Sequence, residues 1–96
     1  MPSLCGTHVY HNYDQVRVNK VIEEMKKLGF TVTGNNPWNV DVHQYSIMLQ
    51  GQWDPASGDL SVIVTSKSWL VPCSKIWEKI DPILEHAANL SIANMI

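Results

Sequence analysis

Between Val40 and Ser66 the chain carries two runs of alternating apolar and polar residues, separated by the turn-favouring segment DPASGD. In both runs, VDVHQYSIMLQGQW and LSVIVTS, a set of apolar residues recurs at every second position, with Met48 and Ile63 as exceptions on the other face: Tyr45, Ile47, Leu49, Trp53, Leu60, Val62 and Val64. A period of two is the signature of a half-buried strand, and Asp, Pro, Ser and Gly each favour a turn. The stretch therefore predicts a β-hairpin on which the rest of the chain packs.

The hairpin register follows from the same alternation, because a slip of one residue would turn a whole apolar set towards water. Pairing Trp53 with Leu60 places Leu49 opposite Val64 and Ile47 opposite Ser66. Slips of two residues keep the faces matched, so this register is the best of a few.

Segments with the periodicity of an α-helix lie before and after the hairpin. A five-member apolar stripe predicts an amphipathic helix over residues 13–28: Val18, Val21, Ile22, Met25 and Leu28. FTVT at residues 30–33 predicts a short strand, and PCSKIWEKIDPILEHAANL predicts a second helix, kinked at Pro82. Residues 1–11 either add a short N-terminal edge strand or are flexible. The closing LSIANMI either docks on its own domain or meets a second copy.

These elements predict one α+β domain over residues 1–96, built as a two-layer α-β-β-β-α fold. Three consecutive strands with short connections favour an antiparallel meander, and one apolar face per strand favours both helices on one face. The chain has 96 residues, of which 45% are hydrophobic and 17% are charged, which is typical of a globular domain.

The net charge and the distribution of apolar residues limit which classes of partner and which cellular compartment we expect. A net charge of -2 argues against nucleic acid as the main partner. No apolar run approaches the length that crosses a bilayer, and the first residues lack the pattern of a signal peptide, so we expect a soluble cytoplasmic protein without membrane contact. In that compartment Cys5 and Cys73 are expected as reduced thiols.

One constellation could support catalysis. Asp41 and His43 share the parity of Tyr45, and extending the register brings them to the core face close to Cys73. Cys73 stands at the start of a predicted helix, which would stabilise a thiolate, so it could act as nucleophile with His43 as base and Asp41 as orienting group. The alternative is that Cys73 is a small buried hydrophobe, while Asp41 and His43 bond the loop that closes the core.

A metal-binding domain is a further alternative. Cys5, His8 and His11 follow a C-x2-H-x2-H spacing, which supplies three of the about four ligands of a structural zinc site. Asp41 and His43 could add to them only if the N-terminal segment folds beside the second strand. We therefore predict no resident metal and no cofactor.

Aromatic residues and the outer sheet face point to binding. Trp38 and Trp69 lie in loop-like sequence, and Met48 and Ile63, with Val40 and Val42, make the outer face more apolar than water favours. We expect Trp38, Trp69, Met48 and Ile63 to be the binding residues of a small adaptor module. Its partner would be another protein or a second copy of the chain in a homodimer.

Overall fold

The structure, a computed structural model, describes the backbone of residues 4–95 and the side chains of residues 4–87. Its elements, in chain order, are β1 (Thr7–Tyr10), α1 (Gln15–Lys27), β2 (Thr31–Gly34), β3 (Trp38–Asp41), β4 (Met48–Asp54), β5 (Asp59–Ser66) and α2 (Cys73–Met95). The strands form one antiparallel sheet in the order β1-β5-β4-β3-β2. The predicted α+β class is confirmed. The side chains of the LSIANMI tail lie outside the described residues.

The β4–β5 hairpin has the predicted register along most of its length. Trp53 pairs with Leu60, Gly51 with Val62 and Leu49 with Val64. The register shifts between Met48 and Leu49, so that Met48 pairs with Ser66. The prediction that Ile47 faces Ser66 is therefore wrong, because a local irregularity inserts one residue into the ladder.

Residues 42–47 form a loop where the alternation predicted continuous strand. His43, Tyr45 and Ser46 have φ angles of 62°, 53° and 57°, a left-handed backbone that a strand cannot adopt. The loop changes the phase of the alternation, and Val40 and Val42 are buried in the core at 5% and 3% exposure. The assignment of these two valines to the outer face is therefore wrong, as is the placement of Asp41 and His43 on the core face.

At the other edge of the sheet, residues 7–10 form β1, which pairs antiparallel with β5. The N-terminal segment thus takes the edge-strand alternative. The sheet has five strands in place of three, because β1 joins at one edge and the predicted long second strand divides into β3 and β4.

A single apolar cluster holds the elements together. Its most deeply buried members come from both helices and from the central strands: Val18, Leu49, Val64, Ile80 and Leu84. The Tyr13 hydroxyl donates to the Leu84 carbonyl, which ties the start of α1 to α2. Pro82 lies inside α2, and the helix continues on both sides of it.

Cys5 and Cys73 form a disulfide, which contradicts the expectation of reduced thiols. The pairing of β1 with β5 carries Cys5 to the first residue of α2, and the two Cα atoms lie 5.5 Å apart, inside the range that a disulfide spans. The bridge links residues 68 positions apart and attaches the N-terminal segment to α2.

Two valines on α1 allow a matched test of the core. Val18 is 2% exposed and Val16 is 69% exposed, so Val18→Ala should lower the free energy of unfolding by about 2–3 kcal/mol through lost burial and a cavity. Val16→Ala should change it by less than about 0.5 kcal/mol. Urea denaturation of both variants measures the difference, and equal effects would show that α1 does not pack through Val18.

The disulfide should stabilise the fold mainly by restricting the unfolded chain. For a loop of this length we expect Cys5→Ser/Cys73→Ser to lose about 4 kcal/mol of unfolding free energy. Dithiothreitol should destabilise the wild type by a similar amount and leave the double variant unchanged. A wild-type urea midpoint that does not respond to the reductant would contradict the bridge.

Candidate functional site

Two loops meet at one end of the sheet. Loop 42–47 connects β3 to β4, and segment 67–72 connects β5 to α2. The Ser68 amide donates to the Tyr45 carbonyl over 2.8 Å, and the Ser66 hydroxyl donates to the Ser46 carbonyl over 2.9 Å. The first bond joins the two loops and the second joins loop 42–47 to the last residue of β5, so the two loops share one surface at this end of the sheet.

That surface carries three large apolar side chains that are open to solvent. Trp69 is 85% exposed, Leu70 is 68% exposed and Tyr45 is 66% exposed. We name these three residues the loop-end patch. Exposed apolar clusters mark interaction sites, and Trp and Tyr are among the residues that contribute most to protein interfaces.

Beside the patch lies a concave region of about 200 Å³, which we name the loop-end hollow. Its buried floor is apolar: Val42, Ile47, Ile76 and Ile80. Its rim is formed by one half-buried residue and four exposed ones: Val71, Gln44, Tyr45, Lys75 and Lys79. An apolar floor with a few polar groups at the rim is the usual composition of a ligand site.

Positive charge at the rim comes from α2. The Lys79 ammonium donates to the Gln44 side-chain oxygen over 2.9 Å and lies 5.8 Å from the centre of the Phe30 ring. Lys75 lies 3.4 Å from the Glu78 carboxylate. The residues that line the hollow in the described part of the chain include two lysines and no acid.

The structure brings two of the three predicted catalytic residues together. The His43 amide donates to Asp41 Oδ1 over 2.9 Å, and His43 Nδ1 lies 3.5 Å from the same oxygen. On the other side of the ring, Nε2 lies 2.7 Å from the Thr31 hydroxyl oxygen. Hydroxyl, imidazole and carboxylate thus form an exposed line across β2, β3 and the loop.

Cys73 does not join this line, because its sulfur is bonded to Cys5. A disulfide sulfur has no thiol to ionise, so the predicted nucleophile is absent from this form of the protein. A thiol enzyme with Cys73 as nucleophile would require the reduced form of the protein, and for that form the hypothesis stays a prediction.

The four predicted binding residues lie in different surroundings. Trp69 belongs to the loop-end patch. Trp38 is half-buried against the core and pairs with Gly51. Met48 and Ile63 are half-buried on the strands, where Ile63 pairs with Gln50 of β4 and Thr7 of β1.

The three N-terminal residues considered as metal ligands contact other groups in the structure. Cys5 is in the disulfide, His8 Nδ1 lies 3.2 Å from Asp81, and His11 Nδ1 lies 2.7 Å from Asp59. Among the residues that the structure describes, no three His, Cys, Asp or Glu side chains are placed to hold a metal ion.

Sequence reasoning missed most of the rim and the patch: Gln44, Tyr45, Leu70, Lys75 and Lys79. The alternation continues through Tyr45 and predicts it on the inward face, and no local signal in the sequence marks its left-handed backbone. For Leu70 a signal existed, since KSWLVP places bulky apolar residues in a stretch without period shortly before α2.

Comparison of the chain with protein-family models, with curated proteins and with solved structures finds no match. Among the described residues, no helix combines the length and the apolar character needed to span a membrane.

The buried phenol of Tyr13 and the half-buried phenol of Tyr10 make the stability sensitive to alkaline pH. Burial raises the pKa of Tyr13, which Arg17 offsets in part, and burial together with the bond to Asp81 raises the pKa of Tyr10. An unfolded tyrosine ionises near pH 10, so the folded state retains these protons to higher pH. Their contribution to stability is complete below about pH 10 and is lost as the pH rises further.

Tyr13→Phe keeps the ring and removes the ionising group, so its unfolding free energy should fall less between about pH 9 and 11 than that of the wild type. Urea midpoints across this range measure the slope. Tyr45→Phe, at an exposed position, is the matched control and should keep the wild-type slope. Identical slopes for all three proteins would refute the assignment to Tyr13.

Proposed function

We propose that this protein is a small binding module that acts through protein–protein contacts, and that the loop-end patch is its contact surface. The observation that carries the proposal is the exposure of Trp69, Leu70 and Tyr45 on two loops that the Ser68–Tyr45 hydrogen bond joins. Water disfavours such a cluster, so covering it with a partner is a source of binding free energy.

The binding free energy available from covering the loop-end patch is large. Burying one aromatic side chain removes about 150–250 Å² from water. At about 25 cal/mol per Å², this corresponds to about 4–6 kcal/mol before the costs of association. Trp69 and Tyr45 together therefore provide enough to offset those costs for a complex of moderate affinity.

Hydrogen bonds that hold each loop in one conformation also support the proposal. The Lys67 ammonium donates to the carbonyls of Ser68 and Val71, so segment 67–72 is cross-linked within itself. Loop 42–47 is closed by the bond from the Val42 amide to the Ile47 carbonyl. Loops held in one conformation lose less entropy when they bind.

A second surface is part of the same proposal. We propose that both helices cover one face of the sheet, because inward strand residues such as Leu49 and Val64 share a core cluster with Val18 and Leu84. The opposite face, with Met48 and Ile63 among Thr, Gln and Asn residues, would then be open to a partner or to a second copy in a homodimer.

The disulfide bears on the compartment. Disulfides persist in oxidising environments and are rare in the cytoplasm. The Cys5–Cys73 bridge therefore supports an oxidising compartment for the working form, in place of the cytoplasmic location expected from the sequence.

We assign the line of Thr31, His43 and Asp41 a structural role. Thr31 and Asp41 are paired across β2 and β3, and His43 bonds both of them from the loop. This contact holds the left-handed backbone of loop 42–47 against the sheet, which positions Tyr45 in the patch.

Affinity capture with three immobilised proteins tests the proposal. Trp69→Ser/Leu70→Ser should lose partner proteins that the wild type retains, because the apolar contact is removed. The control, Val16→Ser/Leu28→Ser, changes two apolar residues of comparable exposure on and beside α1 and should retain them. Equal urea midpoints confirm that all three are folded.

The outcome against the proposal is a set of retained proteins that does not differ between the patch variant and the control. Light scattering of the same three proteins tests whether the partner is a second copy. In that case the wild type and the control have the mass of a dimer, and the patch variant has the mass of a monomer.

A further inference from the structure

The loop-end hollow combines an apolar floor with a cationic rim. Val42 and Ile47 from the loop, with Ile76 and Ile80 from α2, form the floor and are all less than 7% exposed. Lys75 and Lys79 stand one helical turn apart on α2, on the same side of that helix. A molecule that entered the hollow would meet hydrocarbon below and ammonium groups at one edge.

The size of the hollow selects small ligands. It measures about 200 Å³, whereas an apolar cavity of about 150 Å³ accommodates benzene. There is room for one ring or for a folded chain of several carbons. A small molecule of that size can fill the hollow without a protein side chain, although Tyr45 belongs both to its rim and to the loop-end patch.

The two lysine ammonium groups at the rim of the hollow favour an anionic ligand. Lys79 is held at the rim by Gln44 and by the Phe30 ring, two uncharged groups. Lys75 is exposed and its contact with Glu78 lies on the surface of α2. An incoming carboxylate would supply the opposite charge at Lys79, with hydrogen bonds shorter and stronger than the present amide contact.

The walls are formed before any ligand binds. The Ile47 amide donates to the Gln44 carbonyl over 3.0 Å, and the Ser68 amide donates to the Tyr45 carbonyl over 2.8 Å. The helical wall begins at Cys73, which the disulfide attaches to the N-terminal segment. A left-handed backbone at three non-glycine residues is costly and persists where the surroundings hold it, as is common at ligand sites.

We propose that the loop-end hollow binds a small amphipathic carboxylate, with its apolar body on Val42, Ile47, Ile76 and Ile80 and its carboxylate at Lys79. Lys75, one helical turn away on α2, provides a second cation. This activity goes beyond the proposed protein contacts, because it takes a different class of ligand in a concave region that shares Tyr45 with the loop-end patch.

Octanoate is the test ligand and octanamide, of equal length and without charge, is its control. Titrations are followed by the NMR signals of the isoleucine methyl groups in the full chain. Octanoate should shift the signals of Ile47, Ile76 and Ile80 in a saturable manner. Because Lys79 is exposed, the carboxylate should bind about threefold to fivefold more tightly than the amide.

Three variants locate the interaction. Lys79→Met keeps the apolar stem and should abolish the preference for octanoate over octanamide. Lys27→Met removes an exposed lysine of α1 that pairs with Glu23, and should leave the preference unchanged. Val71→Trp, at the rim, should fill the hollow and prevent both ligands from binding.

Several results would overturn the proposal: no saturable shift at the three isoleucines, equal affinity for both ligands in the wild type, or unchanged binding in Val71→Trp. The experiment uses purified protein and defined ligands. A failure here is therefore separate from a failure of partner capture at the loop-end patch.

Discussion

The antiparallel pairing of β4 with β5 positions every other part of the molecule. Leu49 and Val64 face each other in this pair and are 1% and 0% exposed, so a slip of one residue would place both in water. β1 adds to β5 on one side and β3 to β4 on the other. The helices contribute Val18, Ile80 and Leu84 to the same apolar cluster, which is why the register of two strands determines where both helices pack.

The candidate site depends on the interruption of that regular pattern. At residues 42–47 the backbone leaves the strand conformation, and the register shifts at Met48. After the interruption Val42 and Ile47 are buried and line the hollow with Ile76 and Ile80 of α2, whereas Tyr45 is exposed to solvent. The same few residues therefore line the hollow and contribute to the loop-end patch, while Asp41 and His43 hold the loop to β2 through Thr31.

Much of the fold could be predicted from local pattern. The hairpin centre, α1, the start of α2 and the α+β class follow from periods of 2 and 3.6 residues, which reflect a buried face and need no distant contact. Much less of the site could be predicted. Trp69 was singled out because it lies in a stretch without period, whereas Tyr45 was misassigned because alternation alone does not reveal a positive φ angle. The lysines of the rim looked like ordinary residues of an exposed helical face.

What the sequence by itself determined is helix α1, the centre of the β4–β5 hairpin, the start of α2 and the face that each of these buries, because alternation and helical period are properties of neighbouring residues. The tertiary structure alone decided three further features. It brought Cys5 to Cys73 through the addition of β1 to β5, it joined loop 42–47 to segment 67–72, and it placed Lys79 over an apolar floor. Each of these depends on which distant segments share a sheet edge or a helix face, and that choice is made by the packing of the whole core.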